Sequence, residues 1–327
     1  MGTLAKELGV SDRTISQALN PRESNVKLNP KTVEKIQKLA AEKNYRPDSR
    51  ARSMRYGRFF NIGYFEATKS AISWPLLGAE SGVFDEAVAQ NYRIILVRLP
   101  SEMSTQPDKI PLIFREANLD ALILSHAGNL TKELEDVIGR SNFPVVYLNE
   151  KKSHNAVYVD DFNGAAEITR YLISLGNNKI GFFGSSSEAH YSYLDRRMGY
   201  ENAMKMAGLN PEVFTSHQKT QEFLQWLDAH KDMEAVVCWS DYGALLVFKA
   251  LYNSPIRVPT HLALTGFGDD FYCSPVELTT MRIPFYDMGK DAVKMAVELI
   301  DGNQKPIQSR IFSPELIVRS STRNQLA

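Results

Sequence analysis

Asp12, Arg13, Ser16 and Gln17 lie within six positions of one another, and helical spacing gathers them on the outer face of a short helix. Donors and acceptors of this kind suit the edges of bases in the major groove of a duplex. To present them, the helix must be held at an angle on a second one. The segment from Leu4 to Asn20 has the parts for that. Leu4, Ala5 and Leu8 form an apolar stripe ending at Gly9, a natural helix stop, and Ser11 follows as an N-cap. Ala5 is small enough for close approach, and Val10 and Ile15 fill the angle between the helices. The same pattern also fits an ordinary helical hairpin, and Asp12 fits equally well as a charge complement to its helix N-terminus.

A second group of polar residues follows apolar, β-prone runs. Glu66, Ser125, Asn149, Asp241 and Asp269 each fall at or just beyond the end of such a run. In open α/β sheets, ligands bind outside the carboxyl ends of the strands. Asp241 fits equally well as a cap for the helix after it.

The elements that would position both groups can be read from the pattern. A third head helix opens with Asn29 as cap and Pro30 at its first position, and Asn44 and Pro47 close it. Residues 48–58 carry Arg50, Arg52, Arg55 and Arg58 with few large apolar side chains, the composition of a linker that becomes helical on a partner. Beyond it, strand runs are expected at 59–65, 93–97, 121–124, 145–148, 179–183, 235–239 and 261–267, with terminal strands at 311–312 and 316–318. Helices are expected near 76–90, 106–117, 131–140, 161–175, 193–207, 219–230, 241–253 and 286–301. Strands alternating with helices imply parallel sheets with crossover connections. So many elements exceed one core, and two α/β lobes result.

The formal net charge is zero, but residues 1–58 hold 13 basic and 6 acidic residues, a local excess of +7 balanced by −7 in the remainder. A basic head on an acidic body suits a polyanionic partner at one end. The two cysteines, Cys238 and Cys273, are read as reduced thiols of a cytosolic protein. No apolar run reaches membrane-spanning length, and the first helix carries charges, so neither a membrane span nor export is expected. The histidines at 126, 154, 190, 217, 230 and 261 are scattered and are expected on the surface or in loops. Gly181-Phe182-Phe183-Gly184 lacks the spacing of a dinucleotide loop, and there is no nucleophile elbow or metal-ligand cluster. The chain is therefore not expected to be an enzyme, and no cofactor or metal is expected.

Tyr45-Arg46-Pro47-Asp48-Ser49-Arg50-Ala51-Arg52-Ser53-Met54-Arg55 resembles the hinge of the lactose/galactose/purine-repressor family. Further matches follow in order: Val159-Asp160-Asp161-Phe162-Asn163-Gly164-Ala165, Leu172 to Ile180, Arg196-Arg197-Met198-Gly199-Tyr200, Trp239-Ser240-Asp241-Tyr242-Gly243-Ala244, Leu278-Thr279-Thr280-Met281 and Glu315 to Thr322. The resemblance covers almost the whole chain. It implies a helix-turn-helix head (1–47), a hinge (48–58) and a two-lobed, periplasmic-binding-protein-like α/β body (59–327) built from two doubly wound parallel sheets. The first lobe would span about 59–159 plus a segment near 283–307, and the second about 160–282 and 308–322.

The function implied is that of a transcriptional regulator, a repressor, whose affinity for operator DNA is set by a sugar or another small polar metabolite between the lobes. The alternative is a solute-binding protein without regulatory function. By the resemblance, Asp12, Arg13 and Gln17 read bases, while Ser11, Thr14, Ser16 and Asn20 hold phosphates or cap the helix. Arg50, Ala51 and Met54 act in the hinge, with Met54 wedging into the minor groove and Ala51 letting paired hinge helices pack. The effector set comprises Glu66, Trp74, Ser125, Asn149, Arg196, Ser240, Asp241 and Asp269. Trp74 could instead pack in the lobe core, and Arg196 could pair with an acid across the lobes. Ser240, Asn149, Gly268 and Asp48 depart from the family's usual residues. The first helix is about one turn short of the family's. The carboxyl end lacks the leucine heptad that makes tetramers, so a cytoplasmic homodimer is expected.

Overall fold

The computed structural model describes residues 2–19, 28–46, 53–54, 56–67, 78–99, 118–125, 132–141, 143–185, 190–216, 220–302 and 304–322. The chain forms two compact units, Met1–Phe60 and Asn61–Ala327.

In the first unit, α1 (Gly2–Leu8), α2 (Asp12–Leu19) and α3 (Pro30–Glu42) surround a small core of Leu4, Ala5, Ile15, Ala18, Ile36 and Ala40. The turn between α1 and α2 depends on Gly9, whose φ of +62° is left-handed. Val10 N–H donates to the Ala5 carbonyl at 3.0 Å, closing the end of α1. Ser11 caps α2 by accepting from Thr14 N–H at 3.1 Å, and Asn29 caps α3 by accepting from Lys31 N–H at 2.9 Å with Pro30 behind it. An exposed ion pair between Lys43 and Glu7 joins the end of α3 to α1.

The second unit holds two six-stranded sheets. The first contains β1 (Asn61–Ala67), β2 (Arg93–Leu99), β3 (Ala121–Ser125), β4 (Val145–Leu148), β5 (Ala156–Val159) and β11 (Arg310–Phe312), in the order β11-β5-β4-β3-β1-β2 and all parallel. The second contains β6 (Ile180–Ser185), β7 (Glu212–Ser216), β8 (Ala235–Cys238), β9 (Ala263–Gly268), β10 (Thr279–Arg282) and β12 (Glu315–Ile317), in the order β12-β10-β9-β8-β6-β7, with only β12 antiparallel. Crossover helices explain the parallel pairing. They are α4 (Ala79–Ala89), α5 (Lys132–Gly139), α6 (Asp161–Ser174), α7 (Tyr191–Met206), α8 (Thr220–Ala229), α9 (Asp241–Leu251) and α10 (Phe285–Asp301). β3 is buried along its full length, which is why its sequence runs apolar rather than alternating. The chain passes between lobes after β5, after β10 and after β11.

Backbones meet where glycines allow it. A Cβ on Gly82 would stand 2.0 Å from the Tyr286 carbonyl oxygen, and one on Gly289 would stand 2.0 Å from that of Ala79, so α4 and α10 pack together in the first lobe. In the second lobe a Cβ on Gly199 would stand 2.1 Å from the Phe162 carbonyl oxygen, which sets the approach of α7 to α6.

Two features differ from the sequence reading. The segment 308–322 is not wholly in the second lobe, because β11 extends the first sheet by pairing with β5. No strand was expected at β5, β7 or β10: β5 is a four-residue apolar run no shorter than β4, β7 begins with an acid on a sheet edge, and β10 is threonine-rich. Buried Thr279 and Thr280 are satisfied by hydrogen bonds to the Arg319 carbonyl and the Asp241 carboxylate, so polarity does not exclude β10 from the sheet. The helix expected near 106–117 lies outside the described residues. Cys238 and Cys273 are buried free thiols. Among the described residues no helix is long and apolar enough to cross a membrane.

Candidate DNA-reading helix and effector cleft

Helix α2 buries Ile15 and Ala18 completely and leaves Ser11, Asp12 and Arg13 exposed, with Gln17 half-buried. A helix turns about 100° per residue, which sets Arg13 and Gln17 opposite the buried stripe. Ser16 corrects the expectation of an outer-face residue. It falls on the flank beside Ile15 and is only 8% exposed. Ser11 and Thr14 hold each other, with hydroxyl oxygens 2.9 Å apart, so both belong to the capped start of the helix. Asp12 occupies the first turn, where its charge complements the helix dipole. In the hinge, Ser53, Met54 and Tyr56 are helical and Gly57 N–H donates to the Ser53 carbonyl at 2.8 Å. Met54 is 89% exposed. Asn20, Arg50 and Ala51 lie outside the described residues.

In the body, register aligns the expected effector residues of the first lobe. Glu66 pairs with Ser125 across β1 and β3, Ser125 pairs with Leu148 across β3 and β4, and Asn149 comes next in the chain. All three therefore share the carboxyl edge of the first sheet. Only the backbone of Glu66 is described, and Trp74 lies outside the described residues. Ser125 is fully buried, and its hydroxyl has no hydrogen-bond partner among the described residues.

Arg196 lies on α7 over the ends of β8 and β9. Its Nε–H donates to Asp161 Oδ1 at 2.7 Å, its Nη1–H donates to the Trp239 carbonyl at 2.7 Å, and its guanidinium covers the Phe267 ring at 3.8 Å. The acid it meets belongs to its own lobe, not to the other. Burial drives the Asp161 carboxyl upward, and Arg196 opposes that shift. Ser240 caps α9 by accepting from Gly243 N–H at 3.1 Å, so the cap is Ser240 and not Asp241. Asp241 is fully buried and takes hydrogen bonds from Asp270 N–H at 2.7 Å and the Thr280 hydroxyl at 2.6 Å. Burial raises its carboxyl to about 6 against these bonds. Asp269 has a left-handed φ of +60° and pairs with Arg282 at 2.7 Å and Arg319 at 2.6 Å. Burial works against its ionised form, but the two arginines outweigh it and hold the carboxyl below its usual range.

The sequence reading missed His190. It stands in the loop before α7, as expected, but from there it caps the helix and joins the lobes. Its Nε2 is 2.8 Å from the Asn149 carbonyl, which can only accept, so Nε2 carries the hydrogen. Its Nδ1 then accepts from the Ser192 hydroxyl at 2.8 Å. Burial lowers its pKa from 6.5 to about 4, in keeping with a neutral ring. Tyr191 adds a second tie, donating its hydroxyl to Asn149 Oδ1 at 3.3 Å. Lys151 of the first lobe pairs with Asp195 of the second at 2.5 Å. Asn149, expected to touch effector, is thus the hub of the inter-lobe contacts, with a left-handed φ of +59° that asparagine tolerates. A signal existed in the His-x-Ser step before an amphipathic stretch, but histidine is an uncommon cap.

A helix-turn-helix head and a two-lobed body with polar residues at the carboxyl edges of both sheets define a helix-turn-helix protein with a periplasmic-binding-protein-like body. The family model of the periplasmic binding protein-like domain matches residues 169–322. The chain is 29% identical to the HTH-type transcriptional regulator RegA of Clostridium saccharobutylicum, over 98% of both chains. Among solved structures it shares its fold with the transcriptional regulator CelR–cellobiose complex (TM-score 0.70, 20% identity, 97% of this chain and 98% of that one). It also shares it with the lac repressor dimer bound to operator and the anti-inducer ONPF (TM-score 0.75, 18% identity, 98% of this chain and 97% of that one). Nearly end to end, the chain is similar to helix-turn-helix transcriptional regulators, and it shares its fold with the lac repressor.

Proposed function

We propose that the protein is a sequence-specific, DNA-binding repressor, working in the cytoplasm as a homodimer, and that a small polar metabolite between its lobes controls its grip on operator DNA. The observation that carries this is the near end-to-end likeness to a helix-turn-helix transcriptional regulator, which takes in head and body together. A solute-binding protein without regulatory function would leave the capped α2 and its exposed Arg13 without a role. The protein is a regulator, not an enzyme, as its relatives are.

In this reading Arg13 and Gln17 read base edges, with Asp12 beside them, Ser11 and Thr14 meet phosphates, and the hinge inserts Met54 between base steps. Ser16 and Asn20 support the helix, and Arg50 and Ala51 serve the paired hinge. Glu66, Trp74, Ser125, Asn149 and Arg196 line the effector cleft, and Ser240, Asp241 and Asp269 hold its floor. Effector binding changes the closure and twist of the lobes, and so the spacing of the paired hinges. That couples two sites through one conformational equilibrium. Mass measurement by light scattering tests the dimer: the mass of two chains is expected, and that of four contradicts it. Fluorescence anisotropy tests the coupling. Operator affinity should change several-fold or more on adding the metabolite that stabilises the protein. A stabilising metabolite that leaves operator affinity unchanged contradicts it.

A further inference from the structure

We propose that the first lobe carries a second small-molecule site, for a compact organic amine in its cationic form, in a cavity away from the effector cleft. The cavity measures about 300 Å³ and lies beside α5 on one face of the first sheet. Its origin is topological. β4 and β5 are parallel neighbours, yet only residues 149–155 join them. A parallel pair is usually bridged by a dozen or more residues that form a helix, and such a helix covers the sheet. The link here is too short for one, and Val145 and Tyr147 of β4 stay only half-buried beside α5. Ser125 and Asn149 stand at the carboxyl edge of this sheet, and neither lines the cavity, which runs along the amino ends of β4 and β5 from Pro144 to Asn155.

The polar groups of the wall are not all spent. Ser141 donates to the Val137 carbonyl at 3.1 Å, and Asn155 Oδ1 accepts from Ile307 N–H at 2.9 Å. Glu135 and Tyr147 differ. The Glu135 carboxylate makes no hydrogen bond or ion pair among the described residues, and the Tyr147 hydroxyl makes no hydrogen bond among them. Burial, then Glu135 and Glu150, push the Tyr147 phenol up, so the field at this wall is negative. No lysine, arginine or histidine lines the cavity. Outside it, Lys152 sets its ammonium 4.5 Å from the centre of the Tyr147 ring and forms no ion pair with Glu135, so this ring already attracts one ammonium. Ile138, Phe143 and Pro144 supply the apolar part of the wall. An ammonium on a small apolar body satisfies all of these groups at once: it donates to Glu135, and its body packs on the apolar wall. An anion would meet the like charge of Glu135 with no cation in the wall to offset it.

Calorimetric titration of the full-length protein with benzylamine, benzyl alcohol and benzoate tests the site with probes of similar shape and different charge. Wild-type protein should bind benzylamine saturably with a Kd of about 1 mM or tighter. Benzyl alcohol should bind roughly tenfold more weakly or worse, because it forgoes the charge-assisted bond, and benzoate should not bind measurably. Glu135 is exposed, so its replacement leaves the fold intact. Glu135→Gln should lower benzylamine affinity roughly tenfold, to the level of benzyl alcohol. Glu135→Lys should reverse the preference, taking benzoate over benzylamine. Glu42→Gln, which removes an exposed acid from the head, should change neither. Wild-type protein that binds benzylamine no more tightly than benzyl alcohol overturns the proposal, as does benzylamine binding undiminished in Glu135→Gln or preferred in Glu135→Lys. No step of the test uses DNA, so the site stands or falls apart from the regulator reading.

Discussion

His190 is an uncharged joint between two lobes, and its pH response can be predicted. Its folded-state pKa lies near 4 against an ordinary 6.5, so between those values the unfolded chain binds a proton that the native ring refuses. Its contribution to stability is therefore complete above pH 6.5 and falls away as the pH drops toward 4. At pH 5 the expected loss is on the order of 2 kcal/mol relative to pH 7.5. Asp241, raised to about 6, works in the opposite sense, since its native form takes up a proton first. The informative quantity is therefore a difference between variants. His190→Asn keeps a capping acceptor and should remove the acid-side loss, as read by urea unfolding at the two pH values. Equal pH dependence in both proteins would contradict the joint. On the head, Arg13→Ala should cost about 1–3 kcal/mol of operator affinity and relax base preference at one position, read by anisotropy on single-base operator variants. Arg13 was legible in the sequence because an exposed, long donor on a capped helix needs only the helical period to place it. His190 and Asp161 were not. Their roles depend on which residue from elsewhere in the chain arrives beside them: Asn149 for the first and Arg196 for the second.

At the scale of elements, helix crossings and caps organise the body and the head. Gly289→Ala would drive a methyl carbon to 2.0 Å from the Ala79 carbonyl, so α4 and α10 must separate. Overpacking of this kind is expected to cost about 1–3 kcal/mol or more, seen as a lower urea midpoint for the body. An unchanged midpoint would show that the two helices are not in backbone contact. Gly9→Ala has open space but the wrong dihedral. It should cost about 1–2 kcal/mol in the head alone, measured by hydrogen exchange of α1 and α2 amides. The long amphipathic helices and the apolar central strands were readable because burial imposes their periods directly. β7 on its edge and threonine-rich β10 were not, since hydrogen bonding to neighbours, rather than their own apolar character, makes them strands. The lobe assignment of β11 failed for a related reason: three residues carry no mark of which sheet they will extend.

At the scale of the molecule, a head with an excess of +7 stands against a body with −7, and the two α/β lobes meet in a polar edge held by His190, Tyr191 and Lys151. The two-lobed division and the head were legible from alternation and charge. The charge state of the cleft was not, because compensation of Arg196 by Asp161 joins residues 35 positions apart. The most direct test of the account is selection of random-sequence duplexes by the full-length protein, followed by anisotropy titration of the enriched site across a salt series. The account predicts a palindromic site bound with a Kd of about 10 nM or tighter, with affinity falling steeply as salt rises and with Arg13→Ala much weaker. A wild-type protein that enriches no site, or that binds DNA with no dependence on salt or on Arg13, would contradict it.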